Sequence, residues 1–249
     1  MTVVKSFKLT PVTVFTLFTV LFLLTFFMIE DSSQHYSLAQ NSTSVTLYPE
    51  NSKPYGLTYE DHLINYNKYI LSIPSDKSPA EDPTGERCTY GQNTSNSSLF
   101  YLNGNSGGLT KKTCTIPEGL SLFIPIITVE ASTAEDPEAT VEDLNKDAKN
   151  DQDNVNGLYL KINDKEYDYN DLLKFRTHTK DFEVTFPENA LFGAKPGVTT
   201  AVADGFHVIT TPLSAGNYTV EFKGSLVCLG VDCTEPIFAS DNVYNLIVK

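Results

Sequence analysis

Short stretches in which apolar and polar residues alternate recur along most of the chain. In the segment 181–186, Phe182, Val184 and Phe186 alternate with polar residues, and Tyr218–Phe222 repeats the pattern. A period of two is typical of a half-buried β-strand, because successive side chains point to opposite faces of a sheet. Each of these segments is therefore predicted to turn one row of side chains to the core and the other to water.

Similar apolar runs, bounded by turn residues, predict further strands. They are Leu99–Leu102, Thr110–Ile116, Leu120–Val129, Gly157–Ile162, Lys165–Tyr169, Thr200–Thr211 and Val243–Val248. Asn163-Asp164 is typical of a hairpin turn between two of them. Many short strands with turn signals about 8–12 residues apart predict a mainly β fold. The expected architecture is an antiparallel β-sandwich of the immunoglobulin-like or jelly-roll-like kind.

Two segments have the period of a helix instead. Between Thr58 and Ile73, apolar residues recur at helical spacing, and Thr58 is a suitable N-cap. Residues 138–150 predict a second, strongly acidic helix. We expect one or two accessory helices packed on the sandwich.

The start of the chain has a different character, since residues 9–29 carry no charge. A run of this length predicts a hydrophobic helix long enough to span a bilayer, which takes about 20 residues. Lysines precede the run and acidic residues follow it, so the rest of the chain is expected outside the cytoplasmic membrane. Ser37-Leu38-Ala39 resembles a signal-peptidase site. Residues 1–30 are therefore either a signal peptide cleaved near Ala39 or a retained N-terminal anchor.

Composition divides the remainder of the chain. Residues 31–56 are rich in Ser, Asn, Gln and Thr without periodicity, which predicts a flexible polar linker. Residues 57–249 are long enough for a single extracytoplasmic β-sandwich domain with a full core. The formal net charge is −13 and basic residues are not clustered. This argues against a nucleic-acid partner, because phosphate binding requires a basic surface.

Cysteines and glycosylation sequons agree with export. Four cysteines suit an oxidising compartment, and their spacing favours Cys88–Cys114 with Cys228–Cys233 among three possible pairings. A zinc site is disfavoured because no C-x-x-C pair is present. Four N-x-[S/T] sequons predict glycosylation sites; they begin at Asn41, Asn93, Asn96 and Asn217.

Several motifs follow one another in a fixed order between about residues 55 and 225. The main ones are Cys114-Thr115-Ile116-Pro117-Glu118-Gly119, Phe123-Ile124-Pro125-Ile126, Glu130, Ala201-Val202-Ala203-Asp204-Gly205 and Pro212-Leu213-Ser214-Ala215-Gly216. In these motifs the chain resembles a family of uncharacterised exported proteins of bacteria and archaea. The resemblance implies export and a shared fold, and it implies no activity. Members of that family tend to be rich in Trp in the first helix, whereas this chain has no Trp.

Aromatic residues of the first predicted helix form one candidate site. Tyr59, His62, Tyr66 and Tyr69 present rings that would stack on a sugar or another flat ligand. The alternative is that aromatics at helical spacing belong to the core.

Three titratable residues form a candidate catalytic site. Glu130 ends a long apolar run, and a carboxyl group at the mouth of a buried strand is suited to act as an acid or a base. Asp204 and His207 lie close in sequence, but residues three apart on a strand point to opposite faces. The alternatives are a strand that emerges into water at Glu130 and a simple turn at Asp204-Gly205. Arg176 and His178 are interpreted as an exposed pair.

The acidic stretch 135–153 suggests calcium, since Asp147, Asp151 and Asp153 offer oxygen ligands. A solvated helix face is the preferred interpretation, because the glycine that an EF-hand turn needs is missing. No cofactor is expected otherwise.

Taken together, these features predict an exported, cell-surface or secreted, non-catalytic protein that binds a carbohydrate, an envelope component or a protein partner. One alternative is an extracellular hydrolase that uses Glu130 with Asp204 or His207. A second alternative is a purely structural surface protein. The hydrolase is less favoured than the non-catalytic binding protein.

Overall fold

In a computed structural model of the chain, residues 44–227 and 236–249 are described, and they form a mainly β structure with 41% strand and 21% helix. Ten strands make two five-stranded sheets. The first sheet contains β1 (Leu99–Tyr101), β3 (Ser121–Ser132), β6 (Arg176–His178), β7 (Phe182–Phe186) and β8 (Gly197–Ile209). The second contains β2 (Gly108–Ile116), β4 (Val155–Ile162), β5 (Lys165–Tyr167), β9 (Gly216–Val227) and β10 (Pro236–Val248).

Both sheets are mixed, which corrects the expectation of a purely antiparallel arrangement. The first sheet has the order β1-β3-β8-β6, with β7 also paired to β8, and the second has the order β2-β10-β9-β4-β5. Strand β1 runs parallel to β3, and β2 runs parallel to β10. The reason is that β2 lies between β1 and β3 in sequence but belongs to the other sheet. The chain therefore returns to the first sheet with β3 running in the same direction as β1. A period-two pattern does not distinguish parallel from antiparallel pairing.

The helices lie where the sequence predicts them, within a few residues. Helix α1 (Tyr59–Leu71) begins with a capping box in which Thr58 and Asp61 satisfy each other's backbone N–H groups. Helix α2 (Val141–Asp153) begins with an equivalent box at Thr140 and Asp143, and therefore starts and ends slightly later than predicted. A third helix, α3 (Tyr169–Leu172), is a single turn that the sequence pattern did not indicate.

The two sheets meet where β3 packs against β9. A Cβ atom on Gly224 of β9 would lie 2.5 Å from Cβ of Ile127 and 2.8 Å from the carbonyl oxygen of Ile126. Only glycine permits this close approach. The apolar residues between the sheets and under α1 form one large core, and Leu144 and Ala148 of α2 form a small separate cluster with Val202.

Helices α1 and α2 cover opposite faces of the β3–β8 pair. Helix α2 packs on Val202 and the neighbouring Val129 and Ala131, whereas Tyr59 of α1 packs on His207. Residues 202 and 207 lie on opposite faces because side chains alternate along a strand. The two faces of one strand pair thus have different surroundings.

The part of the predicted linker that the structure describes lies against the domain. Leu47 forms a β-bridge with Thr210, and the backbone N–H of Tyr48 donates to the carbonyl oxygen of Ile209. Leu47 and Tyr48 are partly buried against the core. This segment therefore pairs with the end of β8 and the residue that follows it.

The predicted disulfide Cys88–Cys114 is confirmed, with 6.2 Å between the Cα atoms. Cys228 and Cys233 lie outside the described residues, as do Asn41 and the apolar run 9–29. Asn93, Asn96 and Asn217 are exposed, and their glycosylation stays a prediction. Among the described residues, no helix combines the length and apolarity needed to cross a membrane.

Candidate functional site

A cleft of about 800 Å³ lies along one edge of β3. Strand β1 pairs only with Ser121–Phe123, so the rest of β3 pairs on one side alone, with β8. The cleft follows this open edge from Pro125 to Glu130. Tyr66 and Ile70 of α1 also line it, together with residues of β9, β10 and the loops around residues 80 and 105. Its volume is in the range of small-molecule pockets.

The register shows which backbone groups point into this cleft. The N–H of Ala203 in β8 donates to the Thr179 hydroxyl, and its C=O accepts from the Thr179 N–H. Both groups of Ala203 therefore point away from β3. Its partner Glu130 is therefore a non-hydrogen-bonded position, and so is Thr128, two residues earlier. The N–H and C=O groups of Thr128 and Glu130 accordingly point to the open edge. No backbone or side-chain hydrogen bond joins these groups to any other part of residues 44–227 or 236–249.

The charged residues that line the cleft are all acidic. Glu81, Glu130, Glu135 and Asp151 are its carboxylates, and no Lys, Arg or His is among the described residues of its wall. Burial raises the pKa of Glu135, and burial with the nearby Asp147 raises the pKa of Asp151. Glu81, Glu135 and Asp151 are exposed, so the cleft combines three solvated carboxyl groups with Glu130 and has no basic residue in its described wall.

Glu130 occupies the least compensated position in this group. Its Oε1 atom is buried and has no hydrogen-bond partner in the described protein. Burial first, and Glu135 second, raise the pKa of Glu130 to about 8, while the Ser132 hydroxyl acts in the opposite direction. Near neutral pH the carboxyl group therefore holds its proton most of the time. A buried polar atom without a protein partner is a natural contact for a ligand.

Phe192 marks the rim of the same cleft. It lies in the short turn Leu191–Gly193, its side chain is 71% exposed, and its backbone φ is 57°. A bulky residue in the left-handed region is rare and strained, and such strain clusters at functional positions. The alternation pattern does not single out Phe192, although an apolar pair, Leu191-Phe192, directly before Gly193 between two strands was a usable signal.

The structure separates the three residues of the predicted catalytic site. Glu130 pairs with Ala203, so its side chain lies on the face opposite to Asp204. His207 shares the face of Glu130 but lies four positions further along β8, roughly 13 Å away at strand spacing. Glu130, Asp204 and His207 are thus not brought together.

Asp204 instead belongs to a cluster of paired charges under α2. It is 1% exposed, and Arg176 donates to both of its oxygens, at 3.0 Å from Nε and 2.9 Å from Nη2. His178 Nδ1 lies 3.2 Å from Asp204 Oδ2, and its Nε2 lies 2.6 Å from Asn145 Oδ1 on α2. Arg176 also donates to Asp153 at 2.6 Å, and these bonds raise the pKa of Arg176. Arg176 and His178 are therefore not the isolated exposed pair that the sequence suggested, because they anchor α2 to the sheet.

His207 is completely buried between two aromatic rings. Its ring centroid lies 4.7 Å from Phe123 and 5.2 Å from Tyr59. Neither ring nitrogen has hydrogen-bonding geometry to another described protein atom. Burial first, and nearby His62 second, lower the pKa of His207 to about 3, and the backbone of Tyr59 acts in the opposite direction. His207 is thus a neutral core residue at physiological pH.

The aromatic residues of α1 contribute to the core. Tyr59, His62 and Tyr66 are buried, and Tyr69 is half-buried with its hydroxyl donating to the carbonyl oxygen of Tyr90. Tyr66 stacks on Phe123 at 4.8 Å between ring centroids, and it is the one member of this group that lines the cleft. These four rings therefore do not form an exposed stacking surface.

The acidic residues considered for calcium lie on α2. Asp151 lines the cleft, and Asp153 pairs with Arg176 and with Lys149. Within the described ranges, no group of three or more His, Cys, Asp or Glu residues is placed to hold a metal ion.

Comparison of the chain with protein-family models, curated proteins and solved structures found no match.

Proposed function

We propose that the chain is an exported, non-catalytic β-sandwich protein that binds its ligand in the cleft along the open edge of β3. The observation that carries this proposal is the buried, unpaired Oε1 atom of Glu130 in the wall of a large cleft. Exposed Phe192 at the rim supports it. The buried disulfide Cys88–Cys114 is compatible with a location outside the cytoplasm. The ligand is a carbohydrate, an envelope component or a protein partner, as the sequence predicts.

The test is a binding screen with the purified full chain in detergent against glycans, envelope polymers and peptides, followed by calorimetry with variants. Phe192→Ala should weaken binding of the selected ligand about tenfold, because exposed aromatics at a binding site contribute most of its energy. Val198→Ala is the matched control, since Val198 is 69% exposed but lies outside the cleft wall. Equal effects of the two variants, or the absence of any saturable ligand, would overturn the proposal in favour of a structural surface protein.

A hydrolase is a second candidate, because a carboxylic acid with a pKa near 8 is suited to donate a proton. Its partners would be Glu135 or Asp151 rather than Asp204 or His207. Glu130→Gln would separate the candidates: lost turnover of a polymer substrate without a fall in melting temperature supports the hydrolase, and unchanged turnover excludes it.

A further inference from the structure

We propose that the ligand of the cleft is an extended peptide that adds a strand to the open edge of β3 and places Lys or Arg side chains against its carboxylates. This inference rests on the proposed function and specifies the chemistry of the ligand. Its three supports are the orientation of the β3 backbone, the sign of the charge in the cleft and the placement of α1 and α2.

The first support is the unused hydrogen-bonding edge. Thr128 and Glu130 direct N–H and C=O groups into the cleft with the two-residue spacing of a β-ladder. An extended peptide satisfies such groups by strand addition, whereas an isolated sugar lacks the matching repeat. Pro125, on the same edge, carries no N–H, and proline is found in sheets mainly at edge positions. Pro125 therefore cannot donate a hydrogen bond at this edge, and the open edge begins just after it.

The second support is charge complementarity. Glu81, Glu130, Glu135 and Asp151 line the cleft without a cation among the described wall residues. A lysine ammonium or an arginine guanidinium beside them would supply the missing counter-charge and a donor for the unpaired Oε1 atom of Glu130. An anionic peptide would add like charge to the cleft, and a neutral peptide would leave its ionised carboxylates without a counter-charge.

The third support is the arrangement of the two helices. Because α1 and α2 cover opposite faces of the β3–β8 pair, an added strand at the edge would turn alternate side chains toward different walls. Tyr66 and Ile70 offer an apolar wall on the α1 side, and Asp151 offers a carboxylate from α2. Glu130 on the α1 face and Asp151 of α2 each meet one row, so a row of basic residues on either face of the peptide would meet a carboxyl group.

The test uses a heptapeptide of alternating valine and lysine, its counterpart with glutamine in place of lysine, and a lysine version with N-methylated backbone. Calorimetry with the full chain should show binding of the lysine peptide at least about tenfold tighter than either other peptide. Equal affinity for the lysine and glutamine peptides, or no binding of the lysine peptide, would overturn the inference.

Variants of the protein test the hydrogen-bonding edge directly. Thr128→Pro removes an N–H that points to the cleft and leaves the ladder with β8 intact, so it should reduce affinity for the lysine peptide about tenfold or more. Thr128→Val keeps the N–H and the branched side chain, and its affinity should stay within about twofold of wild type. If Thr128→Pro does not fold, hydrogen exchange on the wild-type chain decides, since the peptide should slow exchange of the Thr128 and Glu130 amides.

The two proposals fail in different ways. If another ligand binds in a Phe192-dependent manner while the lysine peptide does not bind, the peptide inference fails and the proposed function stands. If the lysine peptide binds Phe192→Ala and Thr128→Pro as tightly as it binds the wild-type chain, it binds outside the cleft. The cleft is then not the binding site. If no ligand of any class saturates, both proposals fail.

Discussion

Asp204 and Glu130 are acids at adjacent registers of the same strand pair, yet they lie in opposite electrostatic surroundings. On the α2 face, Asp204 accepts hydrogen bonds from Nε and Nη2 of Arg176 and contacts His178. On the α1 face, Glu130 has an unpaired oxygen and like-charged neighbours, and His207 has two unpaired nitrogens. Burial by itself therefore does not indicate function. A buried charge with its partners in place attaches a helix, whereas one without partners is poised for a ligand or a proton.

Removing the partnered acid should have the largest effect. Asp204→Asn would leave the Arg176 guanidinium without its buried counter-charge, and we expect a loss of about 3–5 kcal/mol in unfolding free energy. Urea denaturation followed by circular dichroism measures this. Asp153→Asn is the control, because it removes an exposed partner of the same arginine and should have a much smaller effect on the unfolding free energy. Similar losses for the two variants would contradict the assignment of Asp204 as the anchor.

His207 should limit stability on the acid side. Its folded pKa of about 3 lies below the unfolded value of about 6.5, so the unfolded chain binds the additional proton. Its contribution is complete above pH 6.5 and is lost as the pH falls toward 3, by about 2–4 kcal/mol. His207→Phe retains the stacking on Phe123 and should flatten this decline in urea midpoints. An unchanged acid decline in the variant would exclude His207 as its source.

Glu130 should act in the opposite direction and more weakly, because it is partly exposed. Below about pH 4.5 both folded and unfolded chains hold its proton, so it has no effect on stability. As the pH rises toward 8 the unfolded chain releases the proton first, and the folded state loses roughly 1–3 kcal/mol. Glu130→Gln should therefore stabilise the protein at pH 9 and leave it unchanged at pH 4. Destabilisation by Glu130→Gln at pH 9 would show that the ionised carboxylate has a partner in solution.

Local features of this fold could be predicted from sequence, and long-range ones could not. The Thr58 cap with the apolar residues after it predicted α1, and Asn163-Asp164 predicted the β4–β5 hairpin, where Asn163 adopts a φ of 52°. Each of these signals depends on residues that are close together in the sequence. The mixed order of the sheets depends on pairings between distant segments, such as Gly108 with Ser240.

The candidate site follows the same division. Alternation along β8 correctly predicted that Asp204 and His207 point to opposite faces. Arg176 and His178 lie close together in the sequence, but their partner Asp204 lies 28 and 26 residues away, and only the strand register brings them together. The open edge of β3 was not predictable either, since it results from the three-residue length of β1.

The position of β10 bears on how this chain is made. It is the last strand along the sequence, but it lies between β2 and β9 in the interior of the second sheet. A nascent chain therefore has no complete second sheet until residues 236–248 have left the ribosome, and β2 waits for a partner more than a hundred residues downstream. The strands of the first sheet, by contrast, have all been synthesised by Ile209, so the two sheets become available for folding at different times.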